Sequence, residues 1–244
     1  LARQSKLTRA PHPLLEQRAV KKIALALVTP DRGLCGGLVA NIVREALRFK
    51  QKQTASGQPV SLITVGRKGR DFFARVGGGI IAEFTKLGDA PSLLAITPIA
   101  RIAIDGFLNH EFDAVYLAYT DFVNVVTQRP VVRQLLPIRP AGDGDPEDRP
   151  DRPTFAPDYI YEPDPETILN AIMPRLIELQ VYQAVLESLA SEHRARMVAM
   201  RNATDHAKQL MGDLQLTMNK VRQTTITRDM LDIVGGAEAL RRTG

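Results

Sequence analysis

Few side chains in this 244-residue sequence could do chemistry, and their spacing suits little of it. Cys35 is the only cysteine, so neither an internal disulfide nor a paired-thiol redox centre can form. As a nucleophile it would need an activating base, and no histidine stands near it in the sequence. His193 and His206 lie about 220° apart around a helix, so they cannot share a ligand-bearing face and no metal site is expected. Glu187, Glu192 and Asp205 are spread along the same helical stretch, where solvated i,i+4 pairing is the ordinary role. The most suggestive segment is Thr29-Pro-Asp-Arg-Gly-Leu-Cys-Gly-Gly-Leu38, placed where α/β folds often hold phosphate. It matches neither G-x-G-x-x-G nor the P-loop pattern, and Asp31 would repel a phosphate. Its glycines are better read as permitting a tight turn and close helix packing. No catalytic residue, cofactor or metal is expected.

Composition narrows the class further. The chain is 44% hydrophobic and 24% charged, with no tryptophan. No uncharged apolar run approaches the roughly 18 residues of a membrane span. The single cysteine suits a reducing compartment. Leu1 follows neither a methionine nor a signal region, which suggests a fragment lacking something upstream. Net charge is +5, unevenly placed: 14 Lys/Arg against 3 Asp/Glu precede Asp71, whereas from Asp164 onward the signs balance at 10 each. A basic first third could meet nucleic acid, anionic lipid or an acidic protein face, or simply be solvated.

The elements that must position these residues alternate between strand and helix. Lys22 to Thr29 is a short apolar run of the kind a buried parallel strand shows. After the glycine loop, Leu38 to about Gln53 is amphipathic, with Val39, Ile42, Val43, Ala46 and Leu47 on one face. Val60 to Val65 is a second strand, Lys68 to Val76 a short helix, Ile80 to Phe84 a third strand and Ser92 to about Leu108 a helix. Ala114 to Val126 and Val131 to Leu136 are two more strands, rich in Val, Tyr and Phe. Such alternation predicts a parallel or mixed sheet covered by helices, a Rossmann-like α/β domain over 20–138. Residues 139–163 begin as an acidic, proline-rich loop with little to bury.

From residue 164 the pattern becomes that of one long helix. Asp164 is a suitable cap, with Pro165 at the first helical position. Ile168, Ile172, Leu176, Leu179, Tyr182, Leu186, Leu189, His193, Met197, Met200, Thr204, Ala207, Met211, Leu214, Met218 and Val221 recur every 3.5 residues on average. That is the coiled-coil period. Some 70 helical residues would span roughly 100 Å, more than an α/β domain can cover. The seam therefore needs a partner helix, from a second copy or from upstream of Leu1. Pro174 predicts a kink near Met173 or a separate short helix before it.

Several strings together carry a family resemblance. DRGLCGGL follows the first strand, and Gly66-Arg-Lys-Gly-Arg-Asp-Phe-Phe73, TQRPVVRQLLPI and YIYEPDPETIL follow in order. LASEHRARMVAMRNATDHAKQL and NKVRQTTITRDMLDIVGGAEAL complete the set. The chain resembles the gamma subunit of F-type ATP synthases from about His12 to Leu240, with GLCGGL closest to the bacterial type. The resemblance implies a central-stalk rotor subunit that is not itself catalytic: a Rossmann-like domain at the foot and an antiparallel coiled coil of N- and C-terminal helices entering the alpha/beta catalytic hexamer. It implies that 1–19 is the remnant of the N-terminal helix and its linker, and that 164–244 is the long coiled-coil helix. Implied partners are the alpha and beta subunits, the epsilon subunit and the membrane ring of c subunits. The implied location is the cytoplasmic side of the bacterial plasma membrane, peripheral and held through the complex. By the same resemblance Glu192, Arg196, Met200, Arg222, Gln223 and Thr227 contact the hexamer, and Tyr159 and Glu162 face the ring. The dithiol insertion of chloroplast relatives is absent, and Pro174 and Arg228-Asp229 depart from the family's usual residues.

Two other functions stay in view. A nucleotide-binding α/β enzyme would use the strand–glycine loop–helix segment and bind NAD or ATP. A coiled-coil nucleic-acid binder would use the basic first third and show steep salt dependence.

Overall fold

The computed structural model describes residues 12–124, 127–138 and 164–243. Five strands form one sheet in the order β3-β2-β1-β4-β5: β1 Ile23–Val28, β2 Val60–Val65, β3 Ile80–Phe84, β4 Ala114–Phe122 and β5 Gln128–Leu136. β1, β2, β3 and β4 run parallel, and β5 pairs antiparallel with β4. The sheet is therefore mixed, as the alternation of elements predicts. Helices α1 (Leu38–Ala55), α2 (Arg67–Val76) and α3 (Leu93–Leu108) are the crossovers. The fourth strand ends at Phe122, short of the expected Val126, and the fifth begins at Gln128, ahead of Val131.

Every residue of β1 is buried, because both faces of the sheet are covered. Ile23, Leu25 and Leu27 point to one face, against Ile42, Val43 and Ala46 of α1 and Phe73 of α2. Ala24, Ala26 and Val28 point to the other, against Ile96, Ile99, Ala100 and Phe107 of α3. The same layer contains Leu169, Met173, Ile177, Val181, Ala184 and Val185 from the long helix α4, Pro165–Thr243. At roughly 1.5–3 kcal/mol per buried large aliphatic side chain, this stripe is a major part of the core.

Of the two outcomes expected at Pro174, the separate short helix does not form: α4 runs through it as one helix. An interior proline costs about 3 kcal/mol. Leu169, Met173, Ile177 and Val181 on either side of it are each at most 6% exposed, and their burial outweighs that cost. The helix begins as expected. The Thr167 amide donates to Asp164 Oδ1 at 2.9 Å, and the Thr167 hydroxyl donates to Oδ2 at 2.7 Å.

The chain divides by compactness into residues 1–196 and 197–244, so the first 32 residues of α4 belong with the sheet. In that stretch the helix carries two apolar stripes on opposite faces. Leu169, Met173, Ile177, Val181 and Val185 face the core, while Ile172, Leu179 and Leu186, seven residues apart, remain 45%, 56% and 39% exposed. The second unit is a single helix of about 70 Å. Every residue from Met200 to Arg242 in it is exposed, including Met211, Leu214, Met218 and Val221.

Candidate functional site

The glycine loop is held by a knot of contacts at the carboxyl ends of β1, β2 and β3. Thr29 donates its amide to Val65 O at 2.8 Å, and its Oγ1 accepts the Gly69 amide at 2.9 Å. Lys68 N reaches Pro30 O at 3.1 Å, and Gly66 N reaches Phe84 O at 2.7 Å. Asp31 joins two of these ends: Oδ1 accepts the Arg67 amide at 2.8 Å and Oδ2 the Lys86 amide at 2.9 Å. A carboxylate of the chain itself therefore accepts an amide at the amino end of α2.

Beside this knot lies a cavity of about 420 Å³, lined by Thr29, Asp31, Gly66, Lys86 and, from α4, Val185, Ser188 and Glu192. At the neighbouring strand, Ser191, fully buried on α4, donates its hydroxyl to Thr120 O at 3.4 Å. The crevice beyond the strands, where open α/β sheets bind ligands, is thus filled in part by the protein's own helix. This arrangement disfavours the nucleotide-binding reading. The glycines of Gly66-Arg-Lys-Gly69 serve packing, because a Cβ on Gly69 would stand 2.8 Å from Thr29 Oγ1.

Cys35 is 2% exposed within the loop. Burial pushes its thiol up, the nearby Glu192 carboxylate adds to that, and Arg196 opposes it. That is the reverse of an activated nucleophile. Among the described residues no group of His, Cys, Asp and Glu is placed to hold a metal ion.

The residues expected to meet the hexamer separate into two situations. Glu192 is 7% exposed and ion-paired with Arg196, so it faces the protein's interior. Met200 is 39% exposed, and Arg222, Gln223 and Thr227 are exposed on the second unit. The Thr227 hydroxyl donates to Gln223 O at 2.8 Å and is occupied within its own helix. Met200 and Arg222 lie within about 40° of one another around the helix axis, whereas Gln223 and Thr227 turn to another side. Tyr159 and Glu162 lie outside the described residues.

Two positions were not legible as functional from sequence. Asp31 was read only as repelling phosphate, since its amide partners are 36 and 55 residues away. Arg18 anchors the incoming chain: it donates to Phe107 O at 2.5 Å, lies over the Phe107 ring at 4.2 Å and pairs with Asp113 at 3.9 Å.

The geometry defines a class: an α/β foot whose ligand crevice is partly taken up by its own helix, together with a helix that carries an unpartnered apolar seam. A family model described as ATP synthase matches residues 1–240. The ATP synthase gamma chain of Dehalococcoides mccartyi strain CBDB1 is 53% identical over 229 residues, covering 94% of this chain and 76% of that relative. That of Chloroflexus aurantiacus strain J-10-fl is also 53% identical, covering 93% and 76%. Among solved structures, the central stalk and c-ring of the Tetrahymena thermophila mitochondrial ATP synthase is similar at TM-score 0.59 and 25% identity, covering 78% of this chain and 79% of that one. The Euglena gracilis mitochondrial rotor shares the fold at TM-score 0.62, covering 88% and 81%. The chain belongs to the gamma-chain family of ATP synthases.

Proposed function

We propose that this chain is the central-stalk rotor subunit of an F-type ATP synthase, coupling ion-driven rotation of a membrane ring to ATP synthesis in an alpha/beta hexamer. The observation that carries this reading is the second unit of α4: more than 40 consecutive exposed helical residues with apolar side chains at coiled-coil spacing. Such a helix requires enclosure by partners. The exposed Ile172, Leu179 and Leu186 stripe extends the seam onto the foot and fits an antiparallel helix from upstream. The division of labour we infer is a linker in 1–19, the α/β foot in 20–138, an acidic, proline-rich loop and foot segment in 139–163 and the shaft in 164–244.

The subunit itself is non-catalytic in this reading. A shaft needs stiffness and asymmetry, and one proton crossing 100 mV releases only about 2.3 kcal/mol, so energy from several must accumulate mechanically before one ATP forms. Met200, Arg222, Gln223 and Thr227, with Arg196 at the margin, are the proposed hexamer contacts; Tyr159 and Glu162 are the proposed ring-facing pair. Epsilon and the c ring are the remaining partners. No helix among the described residues is long and apolar enough to cross a membrane, consistent with attachment through the complex at the cytoplasmic face of a bacterial plasma membrane.

Co-expression with alpha and beta subunits of the same source tests the assignment. A stable complex with ATPase activity that needs this chain for assembly is the expected result. Recovery of the hexamer without it, under conditions where both are soluble, overturns it.

A further inference from the structure

The core-facing stripe of α4 changes character in its last two buried turns. From Leu169 to Val185 it is apolar; thereafter the buried positions are Ser188, Ser191 and Glu192. Apolar packing holds the helix to the sheet, and directional polar contacts add an orientation that a small rotation of the helix would break. Glu192 is the last buried residue of α4 and the only charged residue among the described buried ones. Its carboxylate is paired with Arg196, whose side chain is 24% exposed. Glu192 also lines the cavity beneath the loop that carries Thr29, Asp31 and Arg32. A water-exposed i,i+4 pair would contribute little, but one with a carboxylate side chain only 9% exposed is costly to break from one side.

We propose that Glu192 and Arg196 form a positioning pair that keys the sheet-packed part of α4 to the loop at 31–37, fixing the rotation of that stretch of helix against the sheet. The pair acts through the loop and the helix and does not touch a reacting group. Its mechanical role rests on the rotor reading: a shaft free to slip in its foot would lose torque between ring and hexamer. Ser191 bonded to Thr120 O adds a second fixed point one residue away.

Cys35 is a reporter built into this loop, as the chain's single cysteine. The experiment uses the assembled complex with alpha and beta subunits, follows alkylation of Cys35 by peptide mass spectrometry, and measures proton pumping per ATP hydrolysed in the membrane-reconstituted enzyme. Glu192→Gln and Arg196→Gln are each expected to raise the alkylation rate about tenfold, the first because the partly exposed Arg196 loses its carboxylate and the second because the buried Glu192 carboxylate is left unpaired. The double variant is expected to lie closer to wild type than Arg196→Gln alone, since no buried charge is then orphaned. The pH profile of alkylation should move down for Glu192→Gln and up for Arg196→Gln. Opposite displacements report Glu192 and Arg196 acting on the thiol individually, which general loosening does not produce. Arg196→Lys should restore the wild-type rate, and pumping per ATP should fall in Glu192→Gln, whose residue faces the interior and not the hexamer.

Unchanged Cys35 labelling in both single variants overturns the positioning pair. Faster labelling with unchanged pumping per ATP overturns its mechanical role. A wild-type chain that supports no ATP-driven pumping would count against the rotor reading, while the labelling still decides whether the pair positions the loop.

Discussion

A side-chain carbon built on Gly66 would stand 1.8 Å from the carbonyl oxygen of Thr29. The end of β1 and the start of α2 touch backbone to backbone at this point, and Gly66 also adopts φ 96°, which few residues other than glycine tolerate. Gly66→Ala must displace Thr29 and with it the knot of strand ends. Overpacking of about 1–3 kcal/mol adds to about 1–2 kcal/mol of backbone strain. Gly57, at φ 79° with nothing near its missing Cβ, is the control: Gly57→Ala carries the strain alone, about 1–2 kcal/mol. Urea unfolding of the α/β unit should show a distinctly larger loss at 66 than at 57; equal losses would mean the close approach does not constrain the fold.

The incoming chain is tethered by Asp113, whose Oδ2 accepts the amides of Lys21 at 2.8 Å and Lys22 at 2.9 Å. Burial works to raise this carboxyl, yet the two amides together with the charges of Arg18 and Lys21 hold it below its ordinary 3.8. A carboxyl depressed in the folded state contributes stability that is present above its unfolded value and lost as pH falls through the folded one. Asp113→Asn should therefore lower Tm at pH 7, and the gap to wild type should close as pH drops below about 4. A gap that stays constant with pH would remove the tether's charge from the account.

The elements of the foot were legible because strands and helices of this size announce themselves by periodicity. Ile23–Val28, Val60–Val65 and Ile80–Phe84 appear as short apolar runs, and the glycine loop marks the turn into α1. The helix α4 was legible as a helix and only half legible in its role. The 3.5-residue seam drew attention to Ile172, Leu179 and Leu186, whereas the stripe through Leu169, Met173, Ile177 and Val181 is what packs on the sheet. A sequence carrying two apolar faces gives no sign of which one the sheet takes. Glu192 was misjudged for a related reason: a glutamate on a long polar helix reads as solvated, and only the crossing of α4 over the strand ends buries it. A separate helix ahead of Pro174 is absent because burial of Leu169, Met173, Ile177 and Val181 offsets the local cost of the proline.

The exposed shaft makes a prediction about protection. In the chain alone, amides of residues 200–242 should exchange much faster than those of Leu25, Ala26 and Leu62, since an isolated helix without a packed face opens readily. In the complex with alpha and beta subunits the same amides should become protected. Equal protection in both states would show that the seam needs no partner.

Arg222 and Gln223 are both exposed, and as the proposed hexamer contacts they would offer directional donors to a partner surface. Replacing both with alanine should reduce ATP synthesis or assembly while leaving the unfolding free energy of the α/β foot within about 0.5 kcal/mol of wild type, as for ordinary surface changes. Unchanged synthesis, assembly and rotation in the double variant would remove this strip from the working contacts.

The most direct measurement is of rotation itself. With the alpha/beta hexamer immobilised and a bead attached through a cysteine introduced at the exposed Gln51 of α1, addition of ATP should drive continuous rotation in one direction, dependent on ATP and stopped by its removal. A complex that hydrolyses ATP at full rate while a firmly attached bead shows only Brownian motion would contradict the assignment of this chain as the rotor.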